Sequence, residues 1–389
     1  MLSRWCLSAV GVAILMLAAT ASAQAQVASV PPRAAPSVQS SSSQPSNARI
    51  YLNVAVEKAG QPVSGLQEQD FTVMDGKTPQ TITSFAAVNG REAAIQMIVV
   101  IDAVNADYRN VLIQREQLDK FLRSEGGNLA YPMAIAILAD DGLHAVSGKF
   151  LNDGNALSAA LQNDQGGFRS IRRSGGYYGA AERFQICLTA MHRLVGSVSR
   201  HTGRKIIVWL SPGWPLLSGP NTQLDEKEEK EVFQNIVSLS NEMLREQITV
   251  YSIDPLGANG TPSVTHLGSD MLVDRNPADQ TAPYGDWAYG QFLKAVSQPS
   301  QATYGDLGLP VLAIHSGGVA FASTNGIAER LRQCIADTVP YYQLSFSPQG
   351  GSAANEYHPL QVKVAGSGMS VRTSQGYYSE SGAAQGIHH

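Results

Sequence analysis

Four carboxylates and one hydroxyl of this chain stand directly after apolar runs. Asp102 closes QMIVVI, Asp140 and Asp141 follow MAIAILA, Ser211 ends KIIVWLS, and Asp254 follows ITVYSI. Such runs read as buried strands, and in an open parallel sheet the carboxyl ends of the strands line one crevice, so these groups should gather on one rim. Clustered carboxylates there could hold a hard cation, Ca²⁺ or Mg²⁺, through Asp102, Asp140, Asp141 and Asp254. Strand-end aspartates also form turns and caps. The sequence favours that role: Asp102 and Asn105 can bond the N–H groups of the turn, and Asp107 can cap a helix starting near Tyr108.

A second group with chemical potential is the loop GGFRSIRRSGGYYG, residues 166–179. Phe168, Arg169, Arg172, Arg173, Tyr177 and Tyr178 are the residue types that dominate interface hot spots, set in a glycine frame. SPGWPLLSGP (211–220) adds Trp214 on a proline-stiffened lip, either a further partner-binding element or packing under the insertion that follows. Enzyme signatures are missing. The eight histidines show no metal-ligand spacing, there is no Gly-x-Ser-x-Gly elbow, and Gly203-Arg204-Lys205 precedes a strand, unlike a phosphate loop. His315, before Ser316-Gly317-Gly318, reads as a helix end beside its glycine cap.

The elements that must position these groups follow from periodicity. Residues 94–339 alternate strands and helices: strands near 95–101, 133–139, 143–150, 205–211 and 248–254, with helices near 109–124, 154–162, 179–199 and 223–246, and a closing strand GVAFA and helix. This is an α/β pattern with a mostly parallel sheet covered on both faces. An insertion at about 255–303, with one weak helix near 287–297, interrupts it. Alternating β segments at 49–90 and 340–380 bracket this domain, and the two are expected to pair into a small β-sandwich-like module.

The first 23 residues combine Arg4, an apolar run from Leu7 to Ala19 and Ala21-Ser22-Ala23, the pattern of a secretory signal peptide. A Ser/Pro/Gln-rich linker (24–48) and a short tail (381–389) read as disordered. The expectation is an exported protein of the periplasm, cell surface or medium, with no membrane span after cleavage. A net charge of −4 argues against a nucleic-acid partner. Cys187 and Cys334 fall on helix stripes and read as buried thiols, although export would permit a bridge.

The order of elements, with an acid ending the first strand, resembles the von Willebrand factor type A fold. GQPVSGLQEQDFTVMDGKTPQTITSF (60–85), YYQLSFSP and VRTSQGYY together resemble the exported von Willebrand factor A-related proteins of Acidobacteria, over nearly all of residues 50–378. The resemblance implies a Rossmann-like, doubly wound sheet. In adhesive members, Mg²⁺ is held by Asp-x-Ser-x-Ser, a later Thr and a later Asp. Asp102 matches the first acid, but Val104 and Ala106 occupy the serine positions, Tyr177 the threonine and Pro212 the second acid. Val, Ala and Pro side chains carry no oxygen, so the resemblance implies a degenerate metal site. The expected protein is non-enzymatic, holds no cofactor, and binds an unknown protein or cell-surface ligand through the rim. Its rivals are Ca²⁺- or Mg²⁺-dependent adhesion through the four aspartates, and an envelope hydrolase.

Overall fold

The computed structural model describes residues 49–90, 94–164, 176–215, 217, 223–255, 292–321, 326–348 and 353–380. All of them belong to the second of two units into which the chain divides, Pro45–His389. The expected signal peptide, linker and tail, and residues 287–291 of the expected 287–297 helix, lie outside the described residues, while residues 292–297 are not α-helical.

In chain order the strands are β1 (Ile50–Lys58), β2 (Gln61–Pro62), β3 (Phe71–Asp75), β4 (Thr78–Gln80), β5 (Ser84–Val88), β6 (Ile95–Asp102), β7 (Asn128–Ala139), β8 (Gly142–Ala145), β9 (Leu151–Asp153), β10 (Arg204–Leu210), β11 (Ile248–Ile253), β12 (Ala320–Phe321), β13 (Tyr341–Phe346), β14 (Tyr357–Val364), β15 (Met369–Arg372) and β16 (Gly376–Tyr378). The helices are α1 (Tyr108–Arg123), α2 (Gly154–Asn163), α3 (Gly176–Val198), α4 (Glu226–Arg245), α5 (Leu309–His315) and α6 (Ile327–Ala336).

The central sheet runs β12-β11-β10-β6-β7-β8, with β9 also on β7. Neighbours from β12 to β7 are parallel, while β8 and β9 join β7 antiparallel. A strand apolar at every position has to be covered on both faces, and alternate residues here feed two cores. Ile98, Val100, Ile207, Trp209 and Val250 pack beneath α3, α4 and α5. Met97, Val99, Ile101, Val208 and Tyr251 pack beneath α1, α2 and α6. The protein is therefore mixed α/β, with helices on both sides of a partly parallel sheet.

Helix starts follow local chemistry. Asp107 accepts the Asn110 N–H at 2.8 Å and caps α1. Asp225 and Glu228 form a capping box on α4, whose first turn is acidic as the helix dipole favours. The strand expected at 143–150 stops at Ala145, where β8 ends; residues 146–150 form a bend with Gly148 at φ +63°, and β9 begins only at Leu151. On α4, Leu239 is fully buried and Ser240 is half-buried.

The terminal segments meet. β1 pairs with β13 (Ile50↔Phe346) and then with β15 (Val56↔Val371), and β5 takes the other edge of β13. β3 pairs with β14 in a second sheet ordered β16-β14-β3-β4. Leu52, Val54, Phe71, Val73, Tyr342, Leu344, Phe346 and Val362 from both sheets share one core. This layer is tied to the α/β layer through Asn241, which bonds the Tyr378 backbone twice at 2.8 Å. A second tie is Arg372, which reaches Glu57 at 2.8 Å and also Asp337.

Candidate functional site

Strand pairing fixes where Asp102 stands. It is in register with Leu138 of β7, and because Ile101 faces Leu210 of β10, Ser211 comes up beside it. The carboxylate is fully buried. Its Oδ1 accepts the backbone N–H groups of Val104 at 3.0 Å and Asn105 at 2.9 Å. Its Oδ2 accepts Asn105 Nδ2 at 2.8 Å, Ser211 Oγ at 2.7 Å and Trp209 Nε1 at 3.4 Å. The turn that follows strand β6 is thereby wrapped around the acid that ends it.

A second ring of contacts locks the first. Asn105 Nδ2 also reaches Cys187 Sγ on α3 at 3.0 Å, and Ser211 Oγ accepts the Gly213 N–H at 3.1 Å. Gly213 sits at φ +108°, which a side chain would resist. Trp214 stands edge-on to Trp209 (5.2 Å between ring centres) and to Phe184 (6.4 Å). Burial pushes the Asp102 carboxyl up, and the hydrogen bonds from Asn105, Ser211 and Trp209 pull it back only partly. Burial, followed by the nearby Asp102 charge, pushes the Cys187 thiol well above its ordinary value. That thiol stays protonated and is a poor nucleophile. Ser211 donates to a carboxylate instead of an imidazole, so it lacks the base that activates a serine.

These residues do not fit a divalent cation. An ionised carboxylate has about four lone-pair sites, and five N–H or O–H groups already aim protons at this one. Val104 and Ala106 are buried without an oxygen to offer, and Pro212 has none in its side chain. Asn105 Oδ1 is a buried acceptor without a partner among the described residues, yet one carbonyl is far short of the six or more oxygens a calcium site needs. The wider aspartate set does not assemble either. Asp254 follows β11, two strands from β6, and so stands about 10 Å away across the sheet. Asp141 is exposed and engages His144 at 2.6 Å. Among the described residues no group of three or more His, Cys, Asp or Glu could hold a metal ion.

Among the described residues the rim exposes aromatic and aliphatic side chains beside the charged Asp107, Arg109 and Asp141. α3 runs into the start of β10, so its N-terminus returns to the carboxyl end of the sheet, and there Tyr178 is 84% exposed. Tyr108, Leu112 and Ile113 are exposed on the first turns of α1, which leaves the same rim just after Asp102. Sequence reading had passed over these α1 residues. The signal was present: Leu112 and Ile113 fall off the stripe set by Val111, Gln114, Leu118, Phe121 and Leu122. Trp214 is a correction. It is 1% exposed, packed between Trp209 and Phe184, and offers no surface to a partner. Phe168, Arg169, Arg172 and Arg173 lie outside the described residues, as does the side chain of Tyr177.

No family model matches the chain, and no curated protein matches it. Among solved structures, proximal thread matrix protein 1 of the mussel byssus is similar at 10% identity and a TM-score of 0.30, over 67% of this chain and 49% of that one. The chain thus spans about half the length of that protein. The human COPII-coat protein Sec24c is similar at 9% identity and a TM-score of 0.29, over 75% of this chain and 44% of that one. The TFIIH p34 N-terminal domain follows at 7% and 0.24, over 42% and 82%. Likeness at this level carries no inference about activity.

Proposed function

We propose that this is an exported, non-enzymatic binding protein of the von Willebrand factor A-related type, with a doubly wound Rossmann-like domain. It engages a protein or cell-surface ligand through the strand-end rim, without a metal ion. The observation that carries the reading is the closure of Asp102, whose two oxygens are occupied by five donors from the protein itself. Adhesion through a bound ion needs that carboxylate open. With it closed, recognition falls to the side chains around it, where exposed Tyr108, Leu112, Ile113 and Tyr178 supply the aromatic and aliphatic anchors typical of interfaces.

The test is crosslinking capture from the native envelope with the wild-type chain, a Leu112→Ala/Tyr178→Ala variant, and each in the presence and absence of a chelator. The reading expects a captured set that is indifferent to chelation and is lost in the variant. Capture that needs calcium or magnesium, or that survives loss of both side chains, refutes it.

A further inference from the structure

Helix α1 buries one stripe, Val111, Gln114, Arg115, Leu118, Phe121 and Leu122, against the sheet and its neighbouring helices. At about 100° per residue, Arg109 and Glu116 fall within about 25° of the line opposite that stripe, with Leu112 on one flank of the line and Ile113 on the other. All four are exposed, Leu112 at 40% and Ile113 at 37%. Among the described residues no carboxylate pairs with Arg109. Glu116 holds Lys120 at 2.7 Å through Oε1, which leaves Oε2 to receive another cation.

This face is its own complement. When two α1 helices are laid antiparallel about a twofold axis midway between Leu112 and Ile113, Arg109 of each copy meets Glu116 of the other, and Leu112 of each meets Ile113 of the other. The axis lies along the outward normal of the helix, so the pairing leaves the core stripe untouched. We infer that the outward face of α1 is the docking surface for a second copy of this chain, with a Leu112/Ile113 quartet set between two Arg109–Glu116 ion pairs. The inference rests on the reading of this rim as a protein-binding surface and names its partner.

Charge selects both the occupant and its direction. Laid parallel, the two helices would set Arg109 against Arg109 and Glu116 against Glu116, and like charges oppose that. An unrelated helix would have to carry an acid and a base at this spacing with two apolar residues between them, in reverse order. The chain already presents that pattern. The overlap is only about three turns of helix, and exposed ion pairs add little affinity, so the dimer is weak, with a Kd of about 10–100 μM.

The experiment is analytical ultracentrifugation of the purified chain up to about 300 μM, as wild type, as Arg109→Glu, as Glu116→Arg, and as an equimolar mixture of the two variants. Each variant alone sets like charges face to face at both ends of the quartet and should weaken the dimer tenfold or more. The mixture should regain the wild-type affinity, because every altered side chain then faces an opposite charge. If a single variant melts early, the doubly exchanged chain Arg109→Glu/Glu116→Arg decides: a dimer supports the inference and a monomer overturns it. A monomeric wild type, a dimer that the single variants leave intact, or a mixture that stays monomeric also overturns it. A monomeric chain whose envelope capture is still lost in Leu112→Ala/Tyr178→Ala overturns self-pairing and leaves the wider reading of the rim in place.

Discussion

Replacing Ser211 with alanine tests whether the closed Asp102 turn is a stabilising device. Two bonds disappear at once. The O–H donor to Asp102 Oδ2 at 2.7 Å is a bond to a charged group, valued at about 1.5–3 kcal/mol. The Gly213 N–H loses its acceptor at 3.1 Å in a buried setting, a penalty of about 1–3 kcal/mol. Water cannot easily replace the hydroxyl, because Ser211 is buried. Together the loss should be about 3–5 kcal/mol near neutral pH, a large share of the ~5–15 kcal/mol that holds typical domains together. The deficit should also depend on pH. Burial holds the folded carboxyl of Asp102 above its unfolded value, so the native state binds the proton more readily, and stability is lost as pH rises through the folded pKa. Ser211 is one of the groups that pull this pKa down; without it the carboxyl rises further, and the deficit grows from mild acid toward neutrality. Adding Asp102→Asn should recover part of the loss at neutral pH. Urea unfolding followed by tryptophan fluorescence suits the measurement, because Trp209 and Trp214 flank the site. A deficit below about 1 kcal/mol, or one that shrinks as pH rises, would refute the reasoning.

Three further outcomes are expected. Arg372→Met should cost about 2–4 kcal/mol in thermal or denaturant unfolding, because it strips the cation from partly buried Asp337 and Glu57, and lysine should restore only part of it. Cys187 should resist alkylation at pH 8 in the folded chain and react once urea unfolds it, since it is buried with its thiol held protonated; mass spectrometry of the alkylated peptide reads this directly. Gly318→Ala should lower the melting temperature sharply or abolish soluble expression, because a Cβ there would lie 1.9 Å from the Val250 carbonyl oxygen.

Much of the α/β layer was legible because fully buried strands advertise themselves. IVVI, MAIAILA, KIIVWL and ITVYSI have no polar face to show, and each became a strand of the central sheet. The turn role of Asp102 and Asn105, and the cap at Asp107, were legible because those bonds span only two or three residues. What the chain order hides is contact across distance. Cys187 meets Asn105 from 82 residues away, and Trp209 meets Asp102 from 107 residues away. Nothing local marks a mid-strand tryptophan as a donor to an acid. Trp214 misled for the same reason: an aromatic between prolines reads as a lip, and only the positions of Phe184 and Trp209 make it core. Alternation likewise marks residues 50–56 and 341–346 as strands without saying which edge each will take.

The pairing of β1 with β13 has a kinetic meaning as well. Leu52 and Leu344 face each other although 292 residues separate them, so the β layer cannot close until its distant halves have been brought within reach. Closing a free loop of that length costs about 3 kcal/mol more than closing a hairpin of ten residues, and a folded α/β layer removes that cost by holding both ends in place. The order of assembly follows: the parallel sheet and its helices first, the outer strands second. A chain damaged in its α/β core should therefore release its terminal strands together. Newly made molecules would pass through a state in which Ile50–Lys58 and Tyr341–Phe346 are both unpaired and open to proteases.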